Sequence, residues 1–529
     1  METPKALSER LQRAISNTIE AGYQLDKEAF TLLETLSKTE DPVALMEKII
    51  KKAEALAQKP LFIGRNFIEE LVSEEETTPK MEAKPEPSIP TPPVPQIQYE
   101  SRKEAFRPYA KEVDAQIKVL DDPTGEVRTT GTIEEYLEYF QDRFKRLQKL
   151  LRQRIDARDA TTISEALKAS TNSKLKIIGM VTDKRESKQR TFLRIEDTEA
   201  SVTVLVPSNL EKSVLEKTQA LLLDQVACIS AIKGRDNLLI LEDVFLPEIP
   251  QITPRKASEP VYAVLTSDLH VGSRKFMREE FNRFLLWLNG KLGNPRLRDV
   301  ASHVKYVVIA GDLVDGIGIY PGQARELAIK DIHRQYSVVS RYLEHIPDYM
   351  ELIVIPGNHD ASRKALPQPA IPKDYAEPVY EARQIHSLGN PCTVSLHDVE
   401  LLLYHGRSID DIVAVVPGMS HSTPEKAMKL FLQCRHLAPI YGQRTPIAPE
   451  KRDFMVIEKV PDIFHAGHVH VLKCDTYRGT QIVNSGAWQE QTEYMKRMGF
   501  VPVPGIVPVV NLQTLQINTV DFTAHEGWV

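Results

Sequence analysis

The chain has 529 residues, too many for one ordinary core, so several domains are expected, at least one of them large enough to bury a substantial site. Its 67 Lys and Arg stand against 73 Asp and Glu, a net charge of -6. That excludes a global electrostatic footprint for nucleic acid and leaves any such contact to local basic patches, metal ions or a partner.

Four cysteines, Cys228, Cys392, Cys434 and Cys474, lie far apart without C-x-x-C spacing. A disulfide framework and a zinc ribbon are therefore not indicated, and a reducing, intracellular setting is expected. The opening METPKALSERLQRAI reads as a polar amphipathic helix, not as a signal peptide, and no apolar run approaches spanning length. A cytoplasmic, nucleoid-associated location is the expectation.

Residues 1–72 read as a helical module, with Leu7, Leu11, Ile15 and Ile19 on one face and Asp41-Pro42 at the start of a later helix. It is either a self-contained bundle or a docking module. Residues 73–98, SEEETTPKMEAKPEPSIPTPPVPQIQ, are acidic and then proline-rich, which predicts a disordered linker. Residues 99–170 form a helical connecting region. There Thr132 and Glu135 make a capping box before a helix with apolar residues at Ile133, Leu137, Phe140, Phe144, Leu147, Leu151 and Ile155. These steps of four and three fit a coiled-coil seam or a helix packed on its own neighbouring domain. Arg143, Lys145, Arg146, Lys149, Arg152 and Arg154 read as its exposed face, solvated or tracking phosphates.

Between 171 and 250 the pattern changes to LKIIGMV, TFLRIED, SVTVLV, a helical stretch, then QVACISAI and NLLILEDVFLP. Five strands with a helix between the third and fourth is the order of an OB-fold barrel. Lys184, Arg185, Lys188 and Arg190 follow its first strand and are the candidate DNA contacts, with Phe192 the one stacking candidate. A purely architectural barrel is the other reading.

From 255 to 529 one device repeats: a β-branched apolar run stops at a loop of metal-ligand side chains. VYAVLTS precedes Asp268 and His270, and YVVIAG precedes Asp312 and Asp315. ELIVIPG precedes Asn358, His359 and Asp360, VELLLY precedes His405, and DIFHAG precedes His468 and His470. In open α/β folds ligands gather at the carboxyl ends of strands, so one crevice can collect all five. Carboxylate, amide oxygen and imidazole without thiolate suit two hard or borderline divalent ions, with manganese, magnesium, iron or zinc all compatible. Gly311, Gly357, Gly406 and Gly467 adjoin the ligands, where close backbone approach is needed.

The series D-x-H, G-D-x-x-D, G-N-H-D, H-G and G-H-x-H resembles that of the calcineurin-like metallophosphoesterases. More narrowly, SDLHVGS, GDLVDGIG, IPGNHD, YHGRSIDD, RHLAPIYGQRTPIAPE, PDIFHAGHVH and YRGTQIVNSGAWQEQT resemble the small subunits of archaeal family-D DNA polymerases. The implied fold class is α/β (α+β) multidomain: a calcineurin-like β-sandwich flanked by helices, preceded by an OB-fold barrel and an N-terminal helical module.

The resemblance implies that Asp268, His270, Asp312 and His470 hold one metal, and Asp312, Asn358, His405 and His468 the other, with Asp312 shared. It leaves His359 for proton transfer to the leaving alkoxide. Asp315 and Asp360 are expected to orient neighbouring histidines, with direct ligation as the alternative. His465 reads as a core histidine, and His421 and His436 as surface or packing residues. Arg435, Arg444 and Lys451 point to a DNA backbone or a partner subunit.

The implied function is metal-dependent 3′–5′ exonuclease activity on single-stranded DNA or a primer 3′ end, within a complex with a large catalytic polymerase subunit. A catalytically silent polymerase scaffold and a phosphatase of the same superfamily are the alternatives, and the filled metal positions weigh against the scaffold.

Overall fold

The computed structural model describes residues 106–187 and 190–524, together with 10–11, 13–18, 24–25, 27–37, 41–54 and 62–63. It divides into two compact units, residues 1–107 with Ser340–Tyr342 and residues 108–339 with 343–529. The 73–98 linker, Leu7, Ile19 and Lys188 lie outside the described residues.

In the first unit, helices α1 (Lys27–Leu36) and α2 (Pro42–Glu54) accompany a parallel pair, β1 (Gln24–Leu25) with β2 (Phe62–Ile63). Pro42 opens α2, where its missing N–H costs nothing, and the Asp41 carbonyl accepts the Leu45 N–H at 3.0 Å. Ala14, Ala29, Leu33, Leu45, Met46, Ile49 and Ala53 form a small core.

The second unit contains a closed barrel of β4 (Lys174–Ser187), β5 (Arg190–Glu196), β6 (Ser201–Val206), β7 (Val226–Lys233) and β8 (Leu238–Phe245). Its strand order is β4-β5-β6-β8-β7, with a helix over Lys212–Gln219 between the third and fourth strands. Alternating residues such as Val202, Val204 and Val206 point inward, as period-two patterning requires.

Beyond the barrel, two six-stranded sheets face each other. One runs β12 (His386–Ser387), β11 (Glu351–Ile355), β10 (Val304–Ala310), β9 (Tyr262–Thr266), β18 (Ile506–Asn511), β19 (Ile517–Asp521). The other runs β16 (Lys473–Tyr477), β17 (Thr480–Asn484), β15 (Ile463–Ala466), β14 (Val399–Leu403), β13 (Cys392–Leu396), β3 (Ile117–Asp121). Leu265, Val308 and Ile353 of the first meet Val394, Leu401 and Ile463 of the second in one apolar layer. Strands β9, β10 and β11 are mutually parallel, as are β14 and β15. Their carboxyl ends therefore emerge side by side.

Helix α3 (Ile133–Arg152) starts at the expected capping box, with Thr132 and Glu135 serving each other's backbone N–H groups. It packs on its own unit through Phe144, Leu147 and Leu151, while Ile133, Leu137 and Ile155 stay exposed and Ile155 lies past its end. The expectation that Arg143 lies on a solvated face is corrected: Arg143 is fully buried, donating to Asp453 Oδ2 at 2.7 Å, the Pro439 carbonyl at 3.1 Å and the Tyr139 hydroxyl at 2.8 Å. A buried guanidinium requires such complete pairing, and it fixes α3 to the loop before β15. Among the described residues no helix is long and apolar enough to cross a membrane.

Candidate metal centre

Strands β9, β10, β11, β14 and β15 each end two or three residues before a candidate ligand, and backbone bonds lock the ends together. The Asp268 N–H donates to the Gly311 carbonyl at 2.9 Å, His270 N–H to Asp312 at 3.1 Å and Gly467 N–H to His405 at 2.9 Å. Asp268, His270, Asp312, His468 and His470 all adopt positive φ, between 53° and 70°. Non-glycine residues hold that conformation at a cost, and such strain concentrates at functional sites. Gly357 and Gly467 make the crowding workable, since a Cβ on either would overlap the carboxylate of Asp312 or Asp268.

The side chains converge. His470 Nε2 lies 3.4 Å from Asp268 Oδ1, and His270 Nε2 lies 3.0 Å from His470 Nε2 and 3.8 Å from Asp312 Oδ2. On the other side of Asp312, its Oδ2 is 3.4 Å from His405 Nε2, which is 3.0 Å from Asn358 Oδ1. Three groups, Asp268-His270-His470, His270-Asp315-His359 and Asp268-Asp312-His405, could each hold a metal ion. The fit is supported by Asp268 Oδ1, buried without a hydrogen-bond partner, and by the paired imidazole nitrogens.

The electrostatics favour a cation here. Burial opposes charge on His270, but the Asp268 and Asp315 carboxylates override it and raise its pKa to about 10. His405, buried beside Asp312, is raised to about 9. Asp268 is held well below the carboxylate range despite burial, chiefly by His470 and His270. A divalent ion would take the place of the protons that these carboxylates otherwise hold on imidazole.

Of the residues expected to orient histidines, Asp315 does so, its Oδ1 3.0 Å from His270 Nδ1. Asp360 does not. Its oxygens accept the backbone N–H of Gly357 at 2.8 Å and Leu313 at 3.3 Å and the Tyr336 hydroxyl at 3.1 Å. It ties two ligand loops together, because its position in the G-N-H-D turn faces backbone. His359 directs Nδ1 to the Asp315 carbonyl at 2.7 Å, leaving Nε2 on the cleft side 4.0 Å from Asp312 Oδ2.

His468 stands beside His405, with ring centroids 5.1 Å apart. Its Nε2 lies 3.1 Å from Asp410 Oδ2, and Asp410 Oδ1 takes His421 Nε2 at 2.9 Å. Asp410, in the first turn of the helix over Ile409–Val415, escaped sequence reasoning, although it stands five residues after His405 in YHGRSIDD. His421, read as surface or packing, lines the same cleft.

The core reading of His465 matches its burial and its 3.0 Å contact with Ser485 Oγ. His436 is likewise a packing residue, fully buried against Asp453. Arg435 is corrected: it is buried and donates to the Ile457 and Glu458 carbonyls, so its charge serves the fold, whereas Arg444 and Lys451 are exposed.

Among the candidate DNA contacts, Lys184 Nζ donates to the carbonyls of Thr218 and Gln219 at 3.2 and 2.6 Å, closing the end of the helix over Lys212–Gln219. That charge is committed to the barrel. Arg185 lies over the Phe192 ring at 5.9 Å, and Arg190 is exposed.

Fold and centre together define a mixed α/β protein with a buried carboxylate–imidazole cluster able to hold metal. The family model for the B subunits of DNA polymerases alpha and epsilon matches residues 263–472. The DNA polymerase II small subunit of Methanothermobacter thermautotrophicus is 39% identical over 407 residues, 77% of this chain and 83% of that one. That of Halobacterium salinarum is 34% identical over 523 residues, 97% and 99% of the two chains. That of Pyrococcus furiosus is 39% identical over 399 residues, 75% of this chain but 64% of the relative, so the match falls short of two thirds of its length. The chain belongs to the family of archaeal DNA polymerase II small subunits.

Proposed function

We propose that this chain is the 3′–5′ exonuclease subunit of a two-subunit polymerase, cleaving phosphodiesters of single-stranded DNA at a centre for two divalent ions. The observation that carries the reading is the position of Asp312, whose Oδ2 lies 3.8 Å from His270 Nε2 and 3.4 Å from His405 Nε2, between the two groups of imidazoles. Asp268, His270, Asp312 and His470 would hold one ion, and Asp312, Asn358, His405 and His468, with Asp410 as its outer partner, the other.

Such ions supply Lewis acidity toward phosphate oxygens and hydroxide at neutral pH. The chain supplies the rest. Asp315 holds the His270 ring in place through Nδ1, the outer partner that a ligating histidine needs. His359 Nδ1–H is committed to the Asp315 carbonyl, so Nε2 is the atom left to hold and hand over a proton to the leaving oxygen. Burial pushes its pKa down to about 4; an arriving phosphate would offset that by its charge.

The closed barrel fits an OB-fold and the paired sheets a calcineurin-like sandwich. We assign 1–72 to a helical module, 73–98 to a linker, 99–170 to a connecting region, 171–250 to the OB domain and 255–529 to the esterase. The partner in this reading is a large polymerase subunit carrying the synthetic site. The test is to incubate purified protein and 3′-labelled single-stranded DNA with manganese, with and without that subunit. Release of mononucleotides from the 3′ end is expected, and no hydrolysis in either arm would overturn the reading.

A further inference from the structure

Five candidate ligands, His270, Asp312, Asn358, His468 and His470, line a cleft of about 220 Å³. The same cleft is lined by residues that hydrolysis itself does not call for: Ile319, Tyr320, Tyr494, Met495, Phe500 and Pro502. The Tyr320 and Tyr494 rings stack with centroids 4.8 Å apart and planes 28° from parallel, and Tyr320 reaches within 6.4 Å of the His359 ring. Phe500 sits against His421 at 4.4 Å. Tyr494 keeps 38% of its surface open, on the short helix Glu493–Met498.

This wall is built, not incidental. Thr492 caps the helix through the Met495 N–H at 3.2 Å, and Gly499 at φ 74° turns the chain back so that the Phe500 N–H meets the Met495 carbonyl at 2.9 Å. A wall of one exposed ring, Tyr494, and two half-buried ones, Tyr320 and Phe500, beside a candidate phosphate-handling centre matches the chemistry of single-strand platforms, where every base offers a π-face and stacking tolerates any sequence. The volume is smaller than the roughly 300 Å³ at which drug-sized pockets begin, which suits one base and no duplex. Arg407, also on the cleft, supplies a cation for a neighbouring phosphate.

We propose that Tyr320, Tyr494 and Phe500 form a nucleobase-stacking subsite that seats the unpaired terminal nucleotide of a single strand beside the candidate metal centre. The inference rests on the exonuclease reading and names the residues that would seat the end of its substrate.

The test uses the full chain in EDTA, so that binding is read without cleavage. Fluorescein-labelled oligothymidylate ending in a normal 3′ nucleotide is compared with the same strand ending in an abasic residue. The parent should prefer the base-bearing end by about 10-fold or more, and Tyr494→Ala should reduce that preference to about two-fold or less while Tyr494→Phe retains it. Phe500→Ala, at the other edge of the wall, should act like Tyr494→Ala, and circular dichroism checks that each variant is folded.

Equal affinity of the parent for both ends, or a preference undiminished in both folded alanine variants, would overturn the subsite. A parallel arm with manganese and bis(4-nitrophenyl) phosphate separates the two readings. Failure of the parent, with and without the large subunit, to hydrolyse that diester and DNA sinks the nuclease, while the end preference in EDTA still decides the subsite.

Discussion

His468 Nε2 stands 3.1 Å from Asp410 Oδ2, and the same carboxylate holds His421 Nε2 at 2.9 Å through its other oxygen. The imidazole expected to complete the second ion's ligands is thus gripped from outside by a carboxylate that orients it. Asp410→Asn removes the charge and keeps the shape. With that outer partner weakened, affinity for the second manganese ion should fall about 10- to 100-fold, as for outer partners of metal ligands elsewhere. Calorimetric titration of metal-stripped protein checks this; tighter second-ion binding in the variant would show that Asp410 competes with the metal.

His359→Ala is expected to lower hydrolysis of single-stranded DNA by about 10²- to 10⁴-fold, the usual worth of a positioned proton donor. Metal content by elemental analysis should equal the parent's, because both proposed ligand sets are complete without His359, whose Nε2 is assigned to the proton. Loss of an ion in this variant would make His359 a ligand.

Asp312→Asn should be among the most damaging changes at the centre. A neutral amide bridges two cations poorly, and His270 and His405 both depend on that carboxylate. The expected result is loss of one or both ions with folding retained, read by elemental analysis and circular dichroism together. Parental metal content and cleavage would remove Asp312 from the bridging position.

Stability should fall in acid through His436. Its Nδ1 accepts the Ala438 N–H at 3.1 Å, so the proton sits on Nε2, which donates to Asp453 Oδ2 at 2.8 Å. Burial, and then the charge of Arg143, push its pKa down to about 4, whereas the unfolded chain titrates near about 6.5. Between those values the unfolded chain binds more protons, so stability rises with pH and is lost as pH falls through the window, by about 3 kcal/mol in all. His436→Gln, which keeps a donor and cannot titrate, should flatten the urea midpoint between about pH 4 and 6.5. An unchanged slope would locate the sensitivity elsewhere.

Deleting residues 1–98 should leave the complex with a large polymerase subunit intact. The proline-rich composition of EPSIPTPPVPQ offers little to build a rigid interface from, and a stable interface needs a large preformed surface. Co-purification of the truncated, folded chain tests this. Loss of the complex would place the main interface in the N-terminal module.

The residues that gather at the candidate centre, and the strands that carry them, were legible in the sequence. Apolar runs ending in D-x-H, G-D, G-N-H, H-G and G-H-x-H place the candidate ligands at strand ends, and those motifs are local: each is a short strand followed by its own turn. The barrel's five strands and the capping box of α3 were legible for the same reason, since period and cap chemistry act over a few residues. Tertiary structure alone decided the pairings across the chain. Arg143 looked solvated because its helix face is basic, yet Asp453, 310 residues away, makes it a buried anchor. Lys184 looked like a DNA contact, yet the carbonyls ending a helix more than thirty residues on consume its charge. Asp360, Asp410 and the Tyr320–Tyr494 wall belong to the same class. What a charged or aromatic side chain faces depends on which distant loop folds against it, and a carboxylate or ring carries no mark in sequence of the partner that will satisfy it.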